Sequence, residues 1–146
     1  MLSDYTGTLS CGGKLVAGVR ECLLELSKSV DLHILTIDTF GTAKEQLRGL
    51  PLRLRWLMGA GGDHDVQKRQ YLDKFEARRV AVLGNGNTDR LLLKAVKERG
   101  GLAIAVDNGE GCALDTMQNA NIFVVGASNA LGLLLQSDRL RATLRF

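Results

Sequence analysis

"RVAVLGNGNTDRLLLKAVKERG", residues 79–100, reads as a strand, a loop and a helix in immediate succession. The run 79–84 is apolar and β-branched without polar alternation, the pattern of a strand buried on both faces of a sheet. The loop that follows is rich in Gly and Asn and ends on Asp89, and an apolar period of 3.6 then predicts a helix over about 88–99. A strand feeding a helix through so short a loop is the repeating unit of a parallel sheet covered by helices.

The same alternation extends in both directions. Strands are expected ending at Ser3 and over 32–37, 52–57, 101–106 and 121–126. Four of the six strand segments lack polar alternation and are expected to be buried on both faces. Helices are expected at about 18–29, 42–48, 64–76, 110–118 and 128–135. This predicts a three-layer, doubly wound, Rossmann-like α/β domain occupying residues 1–146 as one unit. Pro51, the single proline, stands at a strand start, where its missing N–H does little harm. No internal repeat, low-complexity tract or linker interrupts the pattern.

Bulk properties exclude several classes. Charged residues make up 24% and hydrophobic residues 45% of the chain, ordinary globular usage that fits neither disorder nor a membrane protein. The net charge of +3 comes from 19 basic and 16 acidic residues, mostly interspersed, which argues against nucleic acid as a partner. The one basic concentration, "DRLRATLRF" with Arg139, Arg141 and Arg145, is expected to be an amphipathic last helix with solvated arginines. Cys11, Cys22 and Cys112 are odd in number and too scattered for a metal or redox motif, so reduced thiols are expected. No charged leader with an apolar core opens the chain, and no apolar run approaches a membrane span. A cytoplasmic location is therefore expected, without a membrane partner.

Ligands of such sheets bind beyond the carboxyl ends of the strands. Those ends carry Asp4 in "DYTGTLS", then "TIDTFGTA" (36–43) and "GNGNTD" (84–89), while Lys68 lies on the helix leading to the fourth strand. Phosphoryl transfer needs a nucleophile, donors for the non-bridging oxygens and a cation to offset charge. Asp4 suits the nucleophile, since carboxylates form aspartyl phosphates in some ATPases. Main-chain N–H groups of the Thr6-Gly7-Thr8 turn and of Ile37, the Thr36 hydroxyl and the Lys68 ammonium suit the phosphate. Asp89 and the Asn85 amide oxygen suit Mg²⁺, a hard cation that takes oxygen ligands.

Four segments in this order, "DYTGTLS", "LTIDTFGTA", the isolated Lys68 and "VLGNGNTDRLLL", resemble the four motifs of the haloacid dehalogenase (HAD) superfamily. They are most similar to its small, soluble P-type-ATPase-like members. Thr6 matches the ATPase DKTGT rather than the phosphatase DxDGT; Thr36, Asp38, Thr42 and Ala43 match LTGDNxxTA; and residues 84–89 match GDGxND. The resemblance implies that Asp4 accepts the phosphoryl group and, with the Thr6 carbonyl, Asn85 and Asp89, holds Mg²⁺. It further implies that Thr36 and Lys68 bind the phosphoryl group.

Three departures shape the expectation. Thr6 stands where phosphatases place an acid/base carboxylate, so turnover is expected to be slow or the aspartyl phosphate long-lived. Asn85 replaces a metal-binding Asp, which removes one charge beside the cation and shifts the metal toward Asp89. Only three residues precede Asp4, so the first strand should be short. Neither gap between motifs has room for a cap domain; the first holds a small flap and one helix, the second one helix and one strand. Capless members resemble proteins lidded by a second copy or acting on large substrates.

The sequence therefore predicts a Mg²⁺-dependent phosphohydrolase or phosphotransferase acting on a small phosphorylated substrate or a phosphoprotein. The alternative is a phosphoryl-accepting regulatory module with little or no turnover. Among neighbouring residues, Asp38 either caps the helix near Thr42 or touches ligand, and Thr88 or Asn87 is a candidate N-cap. His33 reads as structural, His64 as non-catalytic near a helix start, and Trp56 as core.

Overall fold

The structure, a computed structural model, describes residues 1–59 and 62–145. Six parallel strands form its sheet: β1 (Leu2–Ser3), β4 (His33–Thr36), β5 (Arg53–Trp56), β6 (Ala81–Gly84), β7 (Leu102–Asp107) and β8 (Ile122–Val125). Their order in the sheet is β5-β4-β1-β6-β7-β8. The expected α/β architecture is what the chain adopts. A separate antiparallel hairpin, β2 (Ser10–Cys11) and β3 (Lys14–Leu15), turns at Gly12-Gly13 and makes the flap after β1.

Helices α1 (Val19–Leu26), α2 (Ala43–Gln46) and α6 (Ala127–Leu135) cover one face. Helices α3 (His64–Tyr71), α4 (Arg90–Glu98) and α5 (Leu114–Gln118) cover the other. Strand residues alternate between the two cores: in β7, Ile104 and Val106 join the α1/α6 core, while Ala103 and Ala105 join the α4 core. That assignment is the period-two geometry of a strand read directly as two hydrophobic layers. The last helix, α7 (Ser137–Leu144), packs on α6 and buries none of its own side chains, as its solvated arginines require. Phe146, the end of that basic segment, lies outside the described residues.

The sheet edges expose apolar residues and correct one expectation. Only one neighbour flanks β8, and its Phe123 and Val125 are exposed, so the apolar run 121–126 is buried on less than both faces. Trp56, expected in the core, lies on the other edge strand β5 and is 41% exposed. An edge strand can hold an aromatic against a single neighbour, so side-chain size alone does not carry it inward.

Among the described residues, neither gap between motifs holds a cap domain: the first contains the flap, the second α2 and β5. No helix there is long and apolar enough to cross a membrane. The three cysteines are free thiols.

Behind the sheet, Gly101 enters β7 in close contact with main chain. A Cβ there would collide with the Ala77 carbonyl oxygen, sit 2.6 Å from Val96 Cγ1 and 2.8 Å from the Val80 carbonyl. Backbone oxygens cannot swing aside as a flexible side chain can. Gly101→Ala is expected to destabilise the protein by about 2 kcal/mol, read as a lowered denaturation midpoint in urea with unchanged slope.

Candidate functional site

The chain runs from β1 outward to β4 and β5, then crosses back to β6 on the other side of β1. That reversal opens a crevice beyond the carboxyl ends of the strands. Asp4 leaves β1 there, its N–H bonded to the Leu83 carbonyl at 3.1 Å. Thr36 ends β4, Gly84 ends β6, and Lys68 arrives from the middle of α3.

Three charged groups meet under this crevice. Lys68 Nζ lies 3.0 Å from Asp4 Oδ1 and 2.6 Å from Asp89 Oδ1, and donates to the Thr88 hydroxyl at 3.3 Å. Lys68 and Asp89 are each only 1% exposed and Asp4 8%, so this is a desolvated cluster rather than a surface ion pair. Burial pushes the Asp4 carboxyl up to about 7, against the pull of Lys68 and with added repulsion from Asp89. Burial also works against the Lys68 charge, but the two carboxylates outweigh it and hold its pKa above the ordinary lysine value.

Above Asp4 opens a cavity of about 200 Å³, lined by Thr6, Thr36, Ile37, Asn85, Thr88 and Glu110 among others. The Thr6 hydroxyl oxygen is buried and has no hydrogen-bond partner among the described residues. Orphaned buried hydroxyls are rare and call for a partner such as an ordered water, an ion or a ligand oxygen. Thr36 accepts the Asp38 N–H at 2.9 Å through its hydroxyl oxygen, which leaves its own O–H free to donate.

The remaining expected site residues fall behind this surface. Gly7 and Thr8, expected in the phosphate cradle, are buried and do not line the cavity. The Thr8 N–H bonds the Tyr5 carbonyl at 3.3 Å, and its hydroxyl donates to Asn85 Oδ1 at 3.0 Å. The turn closes on itself because the Tyr5 carbonyl also accepts the N–H groups of Leu9 and Ser10. A Cβ on Gly7 would collide with the Asn85 amide, so glycine lets that side chain lie across the turn.

Asp89, expected at the metal site, has protein partners on both carboxylate oxygens. Its Oδ1 faces Lys68, and its Oδ2 accepts the N–H groups of Asn85 and Gly86, both at 3.0 Å. It therefore braces the loop and caps the short 3₁₀ turn 87–89, a task expected of Thr88 or Asn87. Thr88 turns its hydroxyl to Lys68 and the cavity instead.

Asp38 resolves as a cap: its carboxylate accepts the N–H groups of Thr42 and Ala43 at 3.0 and 3.1 Å. It does so from φ 54°, a left-handed conformation tolerated by Asp. His33 is buried against Tyr71 and Phe75 on the far side of the sheet ends, as a structural residue. His64 bonds the Gly59 carbonyl at 3.0 Å and does not line the cavity.

Sequence reasoning passed over Thr39 and Glu110, which line the cavity. Glu110 fell inside the helix expected from residue 110, whereas α5 begins at Leu114. Gly109 at φ 93° and Gly111 at φ 85° hold the intervening segment in a left-handed turn that no helix continues through. The Gly-x-Gly spacing around Glu110 was the signal available for this loop.

The cavity-lining residues that carry hard oxygen donors for a cation include Asp4, Thr6 through its main-chain carbonyl, and Asn85, whose Oδ1 also accepts the Thr8 hydroxyl at 3.0 Å. All are hard ligands, and they suit Mg²⁺, which typically takes one or two carboxylates and completes its shell with water and substrate phosphate. Among the described residues no three His, Cys, Asp or Glu side chains cluster as a closed metal cage. The donor set fits Mg²⁺.

No protein-family model matches the chain. An uncharacterized protein of Methanocaldococcus jannaschii is 34% identical over 88 residues, which span 58% of this chain and 90% of that protein. A crystal structure assigned to the HAD hydrolase family, from Streptomyces avermitilis, matches with a TM-score of 0.63. The match covers 89% of this chain and 78% of that one, at 18% identity, and shows a shared fold.

Proposed function

The chain belongs to the same family as the M. jannaschii protein and carries the HAD fold, and from that premise we propose that it is a slow, Mg²⁺-dependent phosphohydrolase acting through an aspartyl phosphate at Asp4. The observation that carries this reading is the buried Asp4–Lys68–Asp89 cluster at the floor of a hydroxyl-lined cavity.

In this reading the substrate phosphoryl group enters above Asp4, whose carboxylate oxygen attacks phosphorus as the leaving-group oxygen departs. Thr36 donates its hydroxyl to a non-bridging oxygen, and the Thr6 hydroxyl gains the partner it lacks. Lys68 offsets negative charge where carboxylate and phosphate meet, and Asp89 keeps that ammonium aimed at Asp4. Asp4, the Thr6 carbonyl and Asn85 would hold Mg²⁺, which would supply charge neutralisation at the site. Asp89 fixes the Asn85 loop through its Oδ2 and adds a further carboxylate beside the metal site.

Thr6 cannot protonate a leaving group or activate water near neutral pH, so hydrolysis of the aspartyl phosphate limits turnover. With an aryl phosphate and Mg²⁺, the expected result is a burst of one phenol equivalent followed by slow steady release. A protein with neither burst nor release under these conditions contradicts the proposal. One trapped equivalent without any turnover makes it a phosphoryl-accepting module instead. Thr6→Asp is expected to raise the steady rate by about 10- to 100-fold, the low end of what a positioned acid/base contributes. No gain would mean that the missing carboxylate is not the bottleneck.

A further inference from the structure

Apart from Asp4, the cavity contains one other lining carboxylate, Glu110. The rest of the lining consists of hydroxyls, one amide, glycine and isoleucine, with no imidazole or thiol. Alcohols and amides do not exchange protons near neutral pH, so any proton transfer by the protein within this cavity falls to a carboxylate.

The loop that carries Glu110 is built to hold it there. Asp107 Oδ1 accepts the N–H groups of Gly109 and Gly111 at 2.8 and 3.0 Å, which closes the turn around residue 110. Asn108 clamps the turn to both neighbours: its amide N–H donates to the Thr8 carbonyl at 2.5 Å, and its oxygen accepts the Ala127 N–H at 2.6 Å. Asn85 reaches the Gly111 carbonyl at 3.3 Å. One carboxylate oxygen of Glu110 accepts the N–H of Gly12 at the flap tip, and the other has no protein partner among the described residues. Side chain, flap and the Asp4 loop are thereby held in one arrangement.

We propose that Glu110 is the acid/base of the reaction, supplied from the β7–α5 loop in place of the carboxylate that Thr6 lacks; this rests on the aspartyl-phosphate reading. Protonated Glu110 gives its proton to the leaving-group oxygen as that oxygen's bond to phosphorus breaks and the Asp4–phosphorus bond forms. The Glu110 carboxylate then takes a proton from a water whose oxygen bonds phosphorus. The Asp4–phosphorus bond breaks, its electron pair returns to the Asp4 carboxylate, and orthophosphate leaves. Glu110 ends the cycle protonated, as it began. An exposed side chain on a loop performs this less well than a fixed carboxylate beside Asp4, which keeps turnover slow.

The test uses the full chain with p-nitrophenyl phosphate and Mg²⁺. Glu110→Gln keeps an oxygen acceptor for the Gly12 N–H, so the flap stays seated. Steady turnover should fall about 100-fold, while the burst remains, because nitrophenolate leaves without a proton. Acid-quenched phosphoprotein should stay near one equivalent, as in the wild type, but after substrate is removed it should decay about 100-fold more slowly. Adding Thr6→Asp to the Glu110→Gln variant should restore turnover by about 100-fold, a larger gain than the same change gives the wild type. Wild-type turnover in Glu110→Gln overturns the inference. So does a fall in turnover without slower phosphoprotein decay or Thr6→Asp rescue, which would leave Glu110 only a flap contact. A wild-type protein that traps no phosphoryl group at all overturns the aspartyl-phosphate reading itself, and this inference with it.

Discussion

Asp4→Asn is expected to lose at least about 10⁴-fold in turnover and to be as stable as the wild type at pH 8, or more so. The loss follows from removing the attacking oxygen while keeping its shape, since an amide does not form a phosphoryl intermediate. The stability effect follows from electrostatics. Burial raises the Asp4 carboxyl from 3.8 to about 7, so the folded state favours its neutral form. For a group raised in this direction, the stabilising contribution is complete below the ordinary value and is lost as pH rises through the folded one. At pH 8 the wild type therefore holds an ionised carboxylate at a desolvation cost that Asn does not carry. Lys68 is not stranded by the change, because Asp89 remains 2.6 Å away. Denaturant midpoints of the two proteins should converge near pH 4 and separate in favour of the variant between there and about pH 7. A variant that is markedly less stable at pH 8 would show that the Lys68–Asp4 pair outweighs its burial.

Lys68→Met acts in the opposite direction on stability. It removes the one ammonium shared by two buried carboxylates and leaves Asp4 and Asp89 facing each other across an apolar side chain. Breaking a buried pair from one side typically costs about 3–5 kcal/mol, because the stranded charge keeps its desolvation penalty. Burial already holds the Asp4 carboxyl high, so stability should recover as pH falls and Asp4 protonates. Turnover should be lost with it, since Lys68 is the only cation in reach of the phosphoryl position in the described site. Urea denaturation at pH 8 and pH 5 separates the effects. A midpoint equal to wild type at both values would mean that the cluster is not the electrostatic centre of the molecule.

How much of this was legible in the sequence depended on the kind of signal. Buried strands such as β6 and β7 announce themselves as apolar runs, and the polar Gly-rich loops after β1, β4 and β6 mark the ligand end of the sheet. Asp4, Thr36, Lys68 and Asn85 could thus be assigned to one crevice before any coordinates. What sequence could not supply is the direction in which a polar atom points. Thr8 and Asp89 have suitable chemistry, and the structure adds that their atoms also bond the Tyr5 carbonyl, Asn85, Lys68 and two loop N–H groups. Asp38 is likewise taken up as a helix cap. Glu110 was hidden because acidic residues before an apolar run resemble a helix start, whereas two left-handed glycines keep the chain out of helix until Leu114. Trp56 misled because hydrophobicity does not report whether a strand lies at an edge.

The most direct test of the central claim is to locate the phosphoryl group. The wild-type protein, mixed with p-nitrophenyl phosphate and Mg²⁺ and quenched in acid within one turnover, is digested and its peptides are analysed by mass spectrometry. The account predicts one added phosphoryl group on the amino-terminal peptide, assigned to Asp4 and absent from Asp4→Asn. Steady hydrolysis with no label on Asp4, or with label on another residue, would contradict it.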